Sequence, residues 1–233
     1  MITPRTFQSL VVGFCFSLTL LTAATAQQQA QVILQFVSFP RSANPGAIEL
    51  INGEGETILI EAPTNSLSKT YRVNRMDNWV LGKSITDAEG KPSFKVYGKA
   101  KSIAAQSQLI LVIRKGKNDA DGLELFPLAS NSEGFGGGKC FVMNASKVEI
   151  AGEIGKKKFA LKPLKHTIIK PEASREENNR KYSNAYIYFR KDDKPEPFFS
   201  SVWRMNDKAR NLVFIYHEPL NHHLRLHIIR DYL

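Results

Sequence analysis

Apolar residues along this 233-residue chain come in short runs rich in Val, Ile, Phe and Tyr, broken by clusters of Gly, Pro, Asn and Asp. That punctuation belongs to strands, which alternate their faces with a period of two and end where turn residues redirect the backbone. In the first half the pattern predicts strands over 31–38, 47–51, 57–62, 70–74, 93–98, 108–114 and 122–127. In the second half it predicts 139–144, 147–151, 158–162, 166–169, 184–190, 198–204, 211–217 and 223–229. A single short helix is expected after Pro171, where Glu172, Glu176 and Glu177 would favour the positive end of a helix.

The runs are of two kinds. Leu109 to Ile113 and Leu212 to Tyr216 are continuous and read as central strands covered on both sides, whereas Leu224, Leu226 and Ile228 alternate with Arg225 and His227 and read as half-exposed. The two halves also echo each other. Ile48-Glu49-Leu50, Gly55 and Pro63 recur as Val148-Glu149-Ile150, Gly155 and Pro163, an offset of 100 residues. Lys91-Pro92 and Leu109 to Ile113 recur as Lys194-Pro195 and Leu212 to Tyr216, an offset of 103. Against the echo, the parity of the second hairpin strand slips, because Ile58 and Ile60 must meet Phe159 and Leu161.

The expected fold class is therefore all-β: two tandem antiparallel β-sandwich-like modules, immunoglobulin-like or similar, in residues 27–129 and 139–233. A Gly/Ser-rich linker, 130–138, joins them. Internal duplication is one reading, and one continuous sandwich with repetitive strand lengths is the other.

Residues 1–26 have the form of a secretory signal peptide: Arg5 as the positive region, Leu10 to Leu21 as the apolar region, and Ala24-Thr25-Ala26 as the cleavage pattern. Cys15 lacks the residues of a lipobox before it. The expectation is export to the periplasm or cell exterior, with no transmembrane span once the signal is cleaved. Cys140 would then be the only cysteine left, so stability must come from packing and strand pairing rather than from a disulfide.

Charge is uneven. Residues 27–126 hold 12 Lys and Arg against 10 Asp and Glu, and residues 127–233 hold 19 against 12. In an exported protein a basic half points to an acidic partner such as a lipid headgroup, an anionic glycan or a wall polymer, and not to nucleic acid. The excess is densest at Lys156, Lys157 and Lys158 after the turn at Gly155, continuing through Lys162, Lys165, His166 and Lys170 with no acid between 156 and 170. Such a stretch holds anions by additive Coulomb attraction that salt weakens, and it also guards a strand edge against aggregation.

Other constellations are less specific. Gly134 to Lys139 resembles a phosphate-cradling loop but lacks the P-loop spacing and the following helix. His217, His223 and His227, with His222, fall in one expected hairpin and are the candidate ligands for zinc or copper. Cys140 with His166 is the one conceivable nucleophile and base. Asn144-Ala145-Ser146 is a glycosylation sequon, and Trp79 and Trp203-Arg204 are either core or binding aromatics. No Gly-x-Ser-x-Gly elbow, His-Glu-x-x-His or cofactor fingerprint occurs, and no cofactor is expected.

The function expected from these residues is an exported, non-catalytic binding or structural module of the cell envelope. Its partner would be an envelope protein or anionic polymer engaged through the Lys-rich hairpin. The alternatives are a secreted glycan-acting hydrolase with residues drawn from distant strands, or a metal-binding protein using the histidine cluster.

Overall fold

A computed structural model of the chain describes residues 30–39, 46–53, 55–114, 122–192, 194–218 and 223–233. The expected signal peptide, with Arg5 and Cys15, and His222 lie outside the described residues. The described residues contain strands and no helix.

The first module contains β1 (Gln31–Phe39), β2 (Ala47–Ile51), β3 (Thr57–Glu61), β4 (Tyr71–Asn74), β5 (Asn78–Thr86), β6 (Pro92–Lys101), β7 (Ser107–Arg114) and β8 (Leu123–Ala129). The second contains β9 (Cys140–Asn144), β10 (Ile150–Ile154), β11 (Lys157–Leu161), β12 (His166–Ile169), β13 (Arg175–Glu177), β14 (Arg180–Lys191), β15 (Lys194–Arg204), β16 (Ala209–His217) and β17 (Leu224–Tyr232).

Each module is a pair of sheets, with the same order in both. In the first, β3-β2-β5-β6 forms an outer sheet and β4-β1-β7-β8 an inner one. In the second, β11-β10-β14 with β15 beyond it forms the outer sheet and β12-β9-β16-β17 the inner one. β13 is additional and pairs with the start of β14. Pairing is antiparallel except for β1 with β7 and β9 with β16, which run parallel, a departure from the all-antiparallel expectation. Parallel strands need cover on both faces, and both pairs have it.

The cover is visible in the alternation along β1. Val32, Leu34 and Phe36 join Ile48, Leu50, Trp79 and Leu81 in the core between the first module's own sheets. Val37 and Phe39 point the other way, into a second core with Leu109, Leu111, Phe141, Met143, Leu212 and Phe214. The two inner sheets are therefore stacked on each other, and the described residues form four layers with three cores. Phe39 stacks on Phe214 at 4.5 Å between ring centroids, and Tyr216 meets Phe39 edge-on at 5.2 Å. The third core, with Val142, Ile150, Ile154, Ile187, Val213 and Ile215, lies between the second module's sheets. The continuous runs Leu109 to Val112 and Leu212 to Ile215 are buried along their whole length because they serve two cores at once.

The junction 130–138 is packed into this stack. Phe135 is fully buried in the core between the modules, its N–H donating to the Ala129 carbonyl at 2.6 Å. Arg210, 1 % exposed, donates from Nη1 to the Phe135 carbonyl and to Ser130 Oγ, and from Nε to Asp231 at 2.8 Å. The glycines are required by close backbone passage: a Cβ on Gly137 would run into the Asp207 carbonyl oxygen.

Three further expectations change. The segment after Pro171 is not helical: Arg175–Glu177 forms β13, closed on β14 by a two-residue turn at Asn178-Asn179 with φ of 49° and 58°. Asparagine tolerates positive φ at both turn positions, and this hairpin chemistry outweighs the weak helix signal. The strand expected at 147–151 begins instead at Ile150, because Asn144 Nδ2 and Ser146 Oγ hold the Val148 carbonyl in a turn. Ile150 then occupies the place of Ile48, opposite Leu161 as Ile48 is opposite Ile60, which removes the parity slip. β5 was not among the expected strands, since only its first half, Asn78 to Gly82, faces a core.

Candidate functional site

The six candidate lysines all lie at the open side of the second module, where β11 and β12 form the edges of its two sheets, but they do not form one patch. Lys156 and Lys157 stand at one end, at the turn of Gly155, and Lys170, at the same end of β12, reaches toward Gly138. There Lys157 Nζ pairs with Glu172 at 2.7 Å, and the hydrogen bond and charge of Lys157, reinforced by Lys156, hold the Glu172 carboxyl below its ordinary range. Lys162 and Lys165 stand at the other end, linked by a turn in which the Lys165 N–H donates to the Lys162 carbonyl at 3.1 Å. Lys158 lies between them, facing out from the sheet opposite Glu153. Glu172 follows the acid-free interval in sequence, and the fold brings it back against Lys157.

The outer sheet of the second module carries a groove of about 400 Å³ beside Lys162. Its construction follows from strand parity. Ile150, Ile154, Leu161 and Ile187 turn inward to the core, so Ala151, Ala160 and Tyr188 face out. Ala151 pairs with Ala160 on one side and with Tyr188 on the other, giving a shallow apolar floor against an aromatic wall, with Pro195 beyond. Across the end of the groove run Lys162, Glu149 and Arg190, and Arg190 Nη1 donates to Glu149 Oε2 at 3.0 Å. Two residues back along the strands, the same face shows Lys158, Glu153 and Tyr186, the last 39 % exposed. Lys158 and Lys162 carry no ion pair among the described residues.

Compared with protein-family models and with curated proteins, the chain matches none.

The three histidines do not converge on one point, although two of them share a depression. His217 and His223 line a second depression with Phe189 and Phe198, and His217 Nδ1 accepts from the Lys147 N–H at 3.4 Å. His227 points to the opposite side of β17, stacked over Phe214, with Nε2 at 3.0 Å from the Thr64 carbonyl of the first module. Among the described residues no three His, Cys, Asp or Glu side chains are grouped to hold a metal. The hairpin registers His217 against Leu224, which puts the first histidine on the other face from His227.

Cys140 and His166 are also separated. Cys140 faces the core between the second module's sheets, while His166, opposite Met143, faces the first module and packs on Phe141 at 5.1 Å and Phe126 at 5.8 Å. Burial pushes the Cys140 thiol up to about 11, which keeps it protonated, and this is the reverse of what a nucleophile needs. The Gly-rich run offers no phosphate site: Lys139 Nζ is held by the carbonyls of Ser132, Glu133 and Gly134 at 2.9, 2.7 and 2.6 Å. Asn144 of the sequon is fully buried, its Nδ2 donating to the Val148 and Leu161 carbonyls and its Oδ1 accepting from Ser146. Trp79 is core, its Nε1 donating to Gln108 at 2.8 Å, and Trp203 packs with Phe199 in the second module's core.

Sequence reasoning missed Tyr186, Tyr188, Arg190, Glu149, Ala151 and Ala160. The available signal was the period-two row Tyr186, Tyr188, Arg190 in β14, against inward Ala185 and Ile187. The small residues that make the floor carry no signal of their own.

Proposed function

We propose that this is an exported, non-catalytic binding module of the cell envelope, in which the second module engages an anionic partner through its lysine-lined side. The observation that carries the reading is that Lys156, Lys158, Lys162, Lys165 and Lys170 are exposed without an ion pair among the described residues, and that Lys157 alone is paired. Charges held at the rim of one module attract an anion additively and over about a Debye length. The signal-like residues 1–26 support export, and the basic half of the chain supports an acidic partner.

The test is retention of residues 27–233 on an immobilised sulfated polysaccharide along a salt gradient. Lys156, Lys158 and Lys162 are replaced together by Gln and compared with an equal change of charge in the first module, Lys83, Lys95 and Lys99 to Gln. Loss confined to the first set supports the reading. Equal loss from both sets means that net charge alone is responsible, and the reading fails.

A further inference from the structure

We infer that the groove on the outer sheet of the second module is a saccharide site, and that its ligand is an acidic polysaccharide whose sugar rings lie over Ala151, Ala160 and Tyr188 with a carboxylate at Lys162. This deepens the anionic-partner reading and rests on it.

A patch of lysines alone suits any anion. The face around this groove is chemically more restrictive, because it combines three features that match one kind of ligand. The floor is apolar and shallow: Ala151 and Ala160 pair directly across β10 and β11, so their methyl groups leave room for a ring laid flat. The wall is aromatic, since Tyr188 is paired with Ala151 and faces the same side. The C–H face of a pyranose is apolar and packs on such surfaces, while its rim is a ring of hydroxyls. The rim of the groove supplies both partners that hydroxyls need, a carboxylate and a guanidinium held in fixed orientation by the Glu149 and Arg190 ion pair at 3.0 Å. Lys162 adds a cation with no ion-pair partner among the described residues, which is the complement of a carboxylate on the ring.

The chemistry then repeats along the strands. A cation beside an acid, Lys162 with Glu149, recurs on the same face as Lys158 opposite Glu153, and Tyr188 and Tyr186 stand at successive outward positions of the neighbouring strand. Lys158 and Lys162 are four residues apart, on the order of 13 Å at the usual rise of a strand. A repeated recognition set on one face fits a chain of repeated units better than a single small anion or an isolated headgroup. The occupant is thus a polymer of uronate-type sugars rather than a lipid or a sulfated protein segment.

The probe is a short oligogalacturonate, with the uncharged galactose oligomer of equal length as its control, titrated calorimetrically into residues 27–233. Ala160→Phe fills the floor at an exposed position, Tyr188→Ala removes the wall, and Tyr188→Phe keeps the ring. Ala160→Phe and Tyr188→Ala are expected to weaken oligogalacturonate binding about tenfold, with Tyr188→Phe near wild type and the melting temperature of Ala160→Phe unchanged. The neutral oligomer is expected to bind more weakly than the acidic one. If oligogalacturonate binding falls with salt and with Lys162→Gln but ignores Ala160→Phe, the groove inference fails while the anionic reading stands. Retention on the sulfated polysaccharide with no oligogalacturonate binding overturns the saccharide assignment alone, and loss of both overturns both. Capture of vesicles of anionic phospholipid that is abolished by Ala160→Phe would assign the groove to lipid and contradict the inference.

Discussion

The guanidinium of Arg210 lies over the ring of Phe135 at 4.9 Å and donates to the same residue's carbonyl at 2.6 Å. The contact joins a buried cation from β16 to the segment between the modules, and Asp231 of β17 supplies the compensating carboxylate at 2.8 Å. Burial pushes the Arg210 ionisation down, and Asp231 acts against that shift. Nη2 has no hydrogen-bond partner among the described residues, so the charge is not fully satisfied there.

Three variants separate packing from charge at this junction. Phe135→Ala, which empties a fully buried site in the core between the modules, is expected to cost about 3–5 kcal/mol by chemical denaturation. Asp231→Ala, which strands the Arg210 charge, should cost about 2–3 kcal/mol, and Arg210→Met should cost less than Asp231→Ala. The reverse order would show that the ion pair is not what holds Arg210 in place.

Asn144 gives a second prediction. Its side chain serves the Val148 and Leu161 carbonyls and the Ser146 N–H and hydroxyl, all in the interior of the second module. Asn144→Ala leaves these groups unpaired and should destabilise the fold by about 2–4 kcal/mol. Produced in a glycosylating host, the folded wild-type protein should carry no glycan at Asn144, as intact mass would show.

His166 makes stability depend on pH. Burial, and then the charge of Lys165, hold its imidazole below its ordinary value, so the folded state disfavours the protonated ring. The unfolded chain binds that proton at about pH 6.5, and stability is therefore full above this pH and lost as pH falls below it. Between pH 7 and about 5.5, His166→Gln should show a flatter dependence of denaturation midpoint on pH than wild type. Parallel profiles would contradict the assignment.

How much of this was legible in the sequence depends on the range of the interaction. Runs such as Leu109 to Val112 read correctly as doubly covered, because continuous apolarity is local information, but what covered them was not readable. Phe39 meeting Phe214 and His227 reaching Thr64 join residues that no periodicity links. The strand limits near Lys147 were misjudged because two polar side chains, Asn144 and Ser146, set the turn from the interior. The lysines were visible as a stretch, yet β11 and β12 carry them to two ends, and the return of Glu172 to Lys157 joins residues that no periodicity links. The groove depends on Ala151 and Ala160 falling opposite each other, a matter of register.

The ion pair of Lys157 yields a gain-of-function prediction. Glu172→Gln removes the carboxylate 2.7 Å from Lys157 and frees its ammonium, so retention on the sulfated polysaccharide should move to higher salt. Lys157→Gln in wild type should move it to lower salt, since it leaves the Glu172 carboxylate uncompensated beside Lys156. Retention left unchanged by Glu172→Gln would count against an anion-binding role for this end of the module.

Amide chemical-shift mapping locates the binding face, which the saccharide reading puts on the outer sheet of the second module. On titration of isotope-labelled residues 27–233 with oligogalacturonate, shifts are expected to concentrate in Glu149–Glu153, Lys158–Lys162 and Tyr186–Arg190, with the first module silent. Shifts centred on the first module, or scattered evenly over the exposed lysines of both, would contradict the account.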